Sequence, residues 1–135
     1  MNKVKVDLKP EYIYCSMQSD GKEISHVKVN YSGREWEISS WFTDEGYQNK
    51  GIGTTLLKTA MTSLVQINGD PEKVTYTWNG TNSYVLAWLK SKFNAKCNCP
   101  LSVLKYFNGD LWDAHIYTLD TERVKAFLKE VGNNG

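Results

Sequence analysis

The segment Gly46–Gly53 joins two stretches of different hydrophobic period, and it constrains the fold more than any other part of the chain. Before it, Arg34–Thr43 is rich in β-branched and aromatic residues, which is typical of a strand. After it, Thr54–Ile67 has the apolar spacing of an amphipathic helix with one buried face. The apolar positions of that helix are Leu56, Leu57, Ala60, Met61 and Leu64.

This order of strand, glycine-bearing turn and helix predicts an anion-binding site. The first N–H groups of a helix lack intrahelical partners, and the helix dipole places about half a positive charge beside them. Glycine lets the backbone approach a ligand closely, and Lys50 adds a full positive charge next to the turn. A phosphate group is the ligand that suits such a turn best.

The spacing of the glycines discriminates between phosphate-binding motifs. The chain lacks a Walker P-loop, and Leu56 stands where a dinucleotide-binding fingerprint has its third glycine. The pattern Q/R-x-x-G-x-G/A does fit, with Gln48, Gly51 and Gly53 at its fixed positions. It resembles the acetyl-CoA signature of the GNAT family of N-acetyltransferases, in which backbone amides of the loop hold the CoA pyrophosphate. An ordinary strand-to-helix turn is the alternative interpretation.

Length and composition predict a single domain without a membrane anchor or a metal. A chain of 135 residues can bury an adequate core by itself. The net charge of +1 gives no support for a nucleic-acid or membrane surface. Neither a signal peptide nor a membrane-spanning run is present, so we expect a cytoplasmic protein. Cys15, Cys97 and Cys99 lack a second pair of metal ligands, so we expect thiols rather than a metal site.

Hydrophobic periodicity predicts an antiparallel β-meander, a β-α-β unit, a second helix, a β-hairpin and a C-terminal helix. We predict strands over Val4–Leu8, Tyr12–Met17, Ile24–Tyr31, Arg34–Thr43, Val74–Trp78, Leu101–Phe107 and Leu111–Leu119, with Cys97–Pro100 as loop. We predict helices over Thr54–Ile67 and about Tyr84–Asn94, the second with an apolar stripe of Val85, Trp88, Leu89 and Phe93. The last helix is capped by Asp120 or Thr121 and has Val124, Phe127, Leu128 and Val131 on one face.

This order of elements is similar to the mixed α+β fold of the GNAT family. That family usually inserts two helices between its first two strands, and they help to form the acceptor site. Here only Lys9-Pro10-Glu11 fills that interval, and the last helix is an addition.

The resemblance implies a set of acetyl-CoA contacts around the turn. The end of the strand before the turn would supply a backbone donor to the thioester carbonyl. Asn82 would lie near the pantetheine arm, although it could equally be a simple helix cap. We expect Trp36, Trp41 and Phe42 to pack in the core, with lining of the acyl pocket as the alternative. The implied cofactor-binding residues are Trp41, Phe42, Thr43, Gln48, Asn49, Lys50, Gly51, Ile52, Gly53, Thr54, Asn82 and Trp88.

Acetyl transfer to an amine needs a proton acceptor and a donor to the leaving thiolate. Glu37 precedes Gln48 by eleven residues, which is the offset of the catalytic Glu in the histone-acetyltransferase branch. Glu37 is therefore the candidate base, with Glu35 on the same face as the second candidate. A solvated strand residue is the alternative interpretation. Trp88 replaces the Tyr that serves as acid in the family and has no acidic proton to give. Tyr84, one helical turn earlier, is the candidate acid, with a packing role as the alternative.

The resemblance thus implies an acetyl-CoA-dependent N-acetyltransferase that moves an acetyl group to a primary amine by direct transfer. The acceptor would be a small molecule, a peptide or a protein. The alternatives are a non-catalytic acyl-CoA-binding module and a protein-interaction module on the same fold. Homodimers are common in the family, although nothing in the sequence argues for one.

Overall fold

The computed structural model describes residues 2–78, 83–97, 103–107 and 110–130, without the side chains of 103–107 and 110–114. The strands are β1 (Asn2–Leu8), β2 (Tyr12–Ser19), β3 (Lys22–Ser32), β4 (Glu35–Thr43), β5 (Lys73–Trp78), β6 (Lys96–Cys97), β7 (Val103–Phe107) and β8 (Asp110–Leu119). The helices are α1 (Ile52–Asn68), α2 (Ser83–Phe93) and α3 (Thr121–Lys129), and a 3₁₀ turn spans Glu45–Tyr47.

The strands form one twisted mixed sheet in the order β1-β2-β3-β4-β5-β8. Pairing is antiparallel except between β4 and β5, which run parallel because α1 crosses between them. The strands β6 and β7 pair with different parts of β8. The predicted mixed α+β class and the parallel pair are confirmed.

One hydrophobic core lies between the sheet and the three helices. The helix α1 packs on β2, β3 and β4, and its buried residues are the five apolar positions that the spacing predicts. Phe127 of α3 contacts Phe93 of α2 with ring centroids 5.3 Å apart, so the last helix closes the core. We call the opposite face of β2–β4, which carries Tyr14, His26 and Phe42, the outer face; its residues are mostly half-buried.

Two β-bulges change which side chains point to each face. Between β3 and β4 the register shifts around Ser39, which is left without a cross-strand partner. Between β2 and β3 it shifts around Ile24. An extra residue in one strand re-aims the side chains that follow it, so each bulge reverses the alternation of its strand.

The strands β4 and β5 separate before either of them ends. Their pairing runs only from Glu35 opposite Lys73 to Ile38 opposite Tyr76. Beyond these pairs β4 continues to Thr43 and β5 to Trp78. A gap therefore opens in the middle of the sheet, beside the N-terminus of α1.

Some predictions differ from the structure in detail. Cys97 belongs to β6 and pairs with Tyr117, so the predicted loop does not begin there. Phe42 is 41% exposed, and the prediction that it packs in the core is wrong, because adjacent strand residues face opposite sides and Trp41 occupies the core side. Several predicted positions lie outside the described residues: Asn82, Cys99, Leu101 and Val131.

Candidate functional site

A cavity of about 440 Å³ lies between the unpaired end of β4, the loop that follows it and the first turns of α2. Ten of the predicted cofactor-binding residues line it: Trp41, Phe42, Thr43, Gln48, Asn49, Gly51, Ile52, Gly53, Thr54 and Trp88. Tyr84, the candidate acid, lines it as well. Lys50 is exposed and is not part of the lining, and Asn82 falls outside the described residues.

Two further residues line the cavity that the sequence did not assign to it, Tyr47 and Val85. Tyr47 stands directly before Gln48, so an aromatic residue beside the motif was the available signal. Val85 is 5% exposed and belongs to the apolar stripe of α2. No feature of the sequence indicates that Val85 also lines the cavity.

The loop before α1 is held in shape by left-handed backbone and by one glutamine. Gly51, with φ of 78°, is the N-cap of α1, and Asn49 has φ of 62°. The Gln48 side-chain amide donates to the Thr43 carbonyl at 3.0 Å and to the Tyr84 hydroxyl at 3.4 Å. Gln48 therefore ties the loop to β4 and α2.

The N-terminus of α1 offers unpaired donors to this cavity. The Thr55 N–H donates to the Gly51 carbonyl at 3.0 Å, and no side chain caps the helix. The N–H groups of Ile52, Gly53 and Thr54 meet no acceptor within the described part of the chain. These donors and the helix dipole suit an anionic ligand.

Gly53 lies against two fixed side chains. The Trp41 indole N–H donates to the Gly53 carbonyl at 3.1 Å. A Cβ at Gly53 would lie 3.1 Å from Trp41 Nε1 and 3.2 Å from Thr43 Oγ1. Because Thr43 Oγ1 is in turn hydrogen-bonded to Ser25 Oγ at 2.8 Å, a side chain at Gly53 would displace a connected network. Close packing thus accounts for the second glycine of the motif.

Aromatic side chains form the inner wall of the cavity. Trp88 packs edge-on against Trp41, with ring centroids 5.4 Å apart, and edge-on against Phe93 at the same distance. Burial raises the pKa of Tyr84, with a smaller opposing effect of the Thr43 backbone. The Tyr84 phenol therefore keeps its proton at neutral pH and is able to donate it.

Glu37, the candidate base, lies outside this cavity. It lines a second cavity of about 430 Å³ on the outer face, next to the paired parts of β4 and β5. Its carboxylate accepts hydrogen bonds from the Thr77 hydroxyl and from Asn30 Nδ2, the latter at 3.2 Å. The structure therefore brings ten of the twelve predicted cofactor contacts together with Tyr84 and leaves Glu37 in a neighbouring site.

The described ranges contain neither a membrane-spanning helix nor a metal-binding cluster. No helix there is long and apolar enough to span a bilayer. The same residues contain no group of three or more His, Cys, Asp or Glu side chains placed to hold a metal ion.

Solved structures share this fold at low sequence identity. The ribosomal-protein-S18-alanine N-acetyltransferase from Escherichia coli superposes with a TM-score of 0.64 at 15% identity, covering 100% of this chain and 99% of that one. IAA acetyltransferase from Bacillus cereus gives 0.61 at 13% identity, over 88% and 99% of the two chains. Arabidopsis thaliana NAA60 in complex with acetyl-CoA gives 0.58 at 15% identity, over 82% and 76%.

Sequence comparison finds a matching family model but no matching curated protein. The model of the acetyltransferase (GNAT) family matches residues 5–90, which hold the second half of β1, β2 to β5, the whole glycine-bearing turn and most of α2. The match covers more than half of the chain and includes the cavity that carries the motif. The chain belongs to the acetyltransferase (GNAT) family.

Proposed function

We propose that this protein is an acetyl-CoA-dependent N-acetyltransferase that moves an acetyl group directly to a primary amine. The observation that carries the proposal is the cavity at the N-terminus of α1, where unpaired N–H groups adjoin the Gln48-Gly51-Gly53 motif. Membership of the GNAT family supports acyltransferase chemistry at this position. A structural neighbour was solved with acetyl-CoA, and another form of the same neighbour with a bisubstrate analogue.

The residues around the cavity divide the binding of acetyl-CoA between them. The N–H groups of Ile52, Gly53 and Thr54 would hold the pyrophosphate, because they point out of the positive end of α1. The unpaired end of β4 would face the thioester. Backbone N–H groups of Trp41 to Thr43 would polarise its carbonyl, as oxyanion donors do in acyl transfer.

The transfer then requires two proton movements. The nitrogen of the neutral amine attacks the thioester carbonyl, the C–S bond breaks, and the sulfur leaves with the electron pair. Tyr84 is the proposed donor to that thiolate, since it lines the cavity and keeps its proton at neutral pH. The neutral amine becomes cationic as its nitrogen forms the C–N bond, so a protein group must take a proton from that nitrogen to leave the amide. Glu37 remains the candidate that the family offset predicts.

Ligand-dependent melting tests the cofactor. A ligand at 100 times its dissociation constant adds about 2.7 kcal/mol, which for a domain of this size is a rise of several degrees. We expect that rise with acetyl-CoA and with CoA, and no rise with NAD. A melting temperature that stays constant with both CoA forms would refute the proposal.

A pair of variants at Gly51 separates the charge of the loop from its shape. Gly51→Glu places a carboxylate beside the N–H donors and should abolish the shift with acetyl-CoA. Gly51→Ala introduces the same strain at a φ of 78° without the charge, so it should retain more binding. Equal loss in both variants would show that backbone strain, rather than repulsion of phosphate, accounts for the effect.

The non-catalytic acyl-CoA-binding module is favoured over the enzyme by one observation, the Trp88 indole in place of the family's acid. Release of CoA thiol separates the two functions. The enzyme releases thiol from acetyl-CoA when a panel of small amines, amino acids and peptides is added, whereas a binding module shows the melting shift and no release. A protein-interaction module shows neither. The amines that cause thiol release identify the acceptor class. We also propose a cytoplasmic location, which cell fractionation tests.

A further inference from the structure

The outer face carries a hydrogen-bonded group of three residues, Glu23, His26 and Ser40, to which the proposed reaction assigns no role. His26 Nε2 lies 2.7 Å from Ser40 Oγ, and His26 Nδ1 lies 3.3 Å from Glu23 Oε2. In the tautomer with its proton on Nδ1, the ring donates to Glu23 and accepts the Ser40 hydroxyl. This order of carboxylate, imidazole and hydroxyl is suited to moving a proton.

The two β-bulges place these three side chains on the same face of the sheet. Ile24 is the extra residue of β3, and it places Glu23 on the same face as His26 at a spacing of three. Ser39 is the extra residue of β4, and it places Ser40 on the outer face opposite Lys28. If the bulge at Ile24 were absent, Glu23 would point to the other side of the sheet. If the bulge at Ser39 were absent, Ser40 would do so. β-Bulges are over-represented next to active sites because they re-aim side chains in this way.

The Ser40 end of this hydrogen-bonded group lies near the acetyl-CoA cavity. Ser40 lies two residues before Phe42, so the two side chains share the outer face, and Phe42 also lines the cavity. The rings of His26 and Phe42 are cross-strand partners with centroids 6.3 Å apart. From Ser39 onward β4 has no partner in β5. Phe42 therefore belongs both to the cavity lining and to the face on which Ser40 and His26 lie.

We propose that His26 accepts the proton of the acceptor amine through the Ser40 hydroxyl, with Glu23 holding its ring. The proposal rests on the N-acetyltransferase function proposed above. As the C–N bond forms, the amine nitrogen gives its proton to Ser40 Oγ, and the Ser40 hydroxyl proton passes to His26 Nε2. The thiolate takes its proton from Tyr84, and solvent later restores both residues.

The surroundings keep His26 in the required form. Burial lowers the pKa of His26, and Glu23 opposes that shift in part, so the ring is neutral at pH 7 and able to accept a proton. Tyr14 of β2 stacks on the ring at 5.3 Å and donates its hydroxyl proton to Glu23 Oε2 at 2.8 Å. Lys28 is the charged neighbour of His26 along the outer face of β3, and Ser40 and Phe42 of β4 carry no charge.

The test is the pH dependence of kcat with saturating acetyl-CoA and an amine that the wild type acetylates. A base must be deprotonated, so wild-type kcat should fall as the pH drops through the His26 pKa, below about 6.5. His26→Gln should lower kcat at pH 7 by about 100-fold and remove this acidic limb. Ser40→Ala should lower kcat in the same direction. Each variant should keep its melting shift with acetyl-CoA, which shows that it is folded and binds the cofactor.

Two further variants make the test specific. Glu23→Gln removes the group that raises the His26 pKa, so the acidic limb should move to lower pH. Lys28→Gln lies on the same face of the same strand and should leave the limb in place. If His26→Gln keeps both the rate and the limb while Glu37→Gln loses them, Glu37 is the base and the His26 proposal is overturned. If the wild type itself acetylates no amine, the proposed function fails first.

Discussion

At the scale of single residues, Gly53 is the position where the packing of the site leaves the least room. Trp41 is pinned by its hydrogen bond to the Gly53 carbonyl and by its contact with Trp88. Thr43 is pinned by Ser25. Neither neighbour can give way without losing a buried contact, so an added methyl group strains the whole wall of the cavity.

Gly53→Ala should therefore lower the free energy of unfolding by about 1–3 kcal/mol and weaken acetyl-CoA binding. The matched control is Gly46→Ala in the 3₁₀ turn, where an added Cβ meets nothing within 4 Å. It should leave stability unchanged or slightly raised, because alanine restricts the unfolded chain. Urea unfolding and the melting shift with acetyl-CoA measure both effects. Equal losses in the two variants would contradict the packing argument.

Tyr84→Phe tests the acid at the same scale. The substitution removes only the hydroxyl, so acetyl-CoA affinity should change little while kcat at pH 7 falls by about 100-fold. Because burial raises the pKa of Tyr84 above its ordinary value near 10, wild-type activity should not decline on the alkaline side until above pH 10. A wild-type decline centred near pH 8 that survives in the variant would assign the acid to another group.

At the scale of elements, α3 depends on the cap that the sequence predicts. The Asp120 carboxylate accepts the N–H of Glu122 at 2.9 Å and that of Arg123 at 3.4 Å. Asp120→Ala should lower the free energy of unfolding by about 1 kcal/mol. Asp120→Asn keeps an acceptor oxygen and should lose less. Thermal unfolding of the two variants measures the difference, and identical melting temperatures would show that α3 is held by packing alone.

The helices could be predicted closely because their signals are local. The buried face of α1 follows from the spacing of apolar residues, and its C-terminus from Gly69, which adopts φ of 88° and donates to the Val65 carbonyl. The cavity lining followed from a motif of adjacent residues in the same way. The bulge at Ser39 has no such local signal, since it depends on the register with β3. The pairing of Ser40 with His26 was therefore not predicted. The separation of Glu37 from the cavity was not predicted either, because it depends on how far β4 pairs with β5.

At the scale of the whole molecule, the cavity lies between two parts of the fold whose strands are joined by few residue pairs. One part comprises β1 to β4 with α1, and the other comprises β5 to β8 with α2 and α3. The parallel pairing of β4 with β5 spans only four pairs of residues. A ligand in the cavity contacts β4 and α1 from the first part and α2 from the second.

Acetyl-CoA should therefore slow hydrogen exchange on both sides of the gap. We expect added protection in peptides that cover residues 41–55 and in peptides that cover residues 84–89, because a bound ligand reduces local opening. The hairpin of β1 and β2 lies outside the cavity lining and serves as the internal control. Protection limited to residues 41–55 would show that α2 takes no part in binding.

The bulge in β4 has a consequence for how this strand tolerates change. Its buried residues are even-numbered before Ser39, at Trp36 and Ile38, and odd-numbered after it, at Trp41 and Thr43. A strand of the same sequence without the bulge would have a single parity from Trp36 onward, so Trp41 would turn to the outer face and Phe42 into the core. Every residue of the proposed mechanism would still be present. Deleting Ser39, by contrast, removes the bulge together with the extra residue and would leave Trp41 and Thr43 facing the core, so β4 should tolerate loss of this residue better than straightening around it.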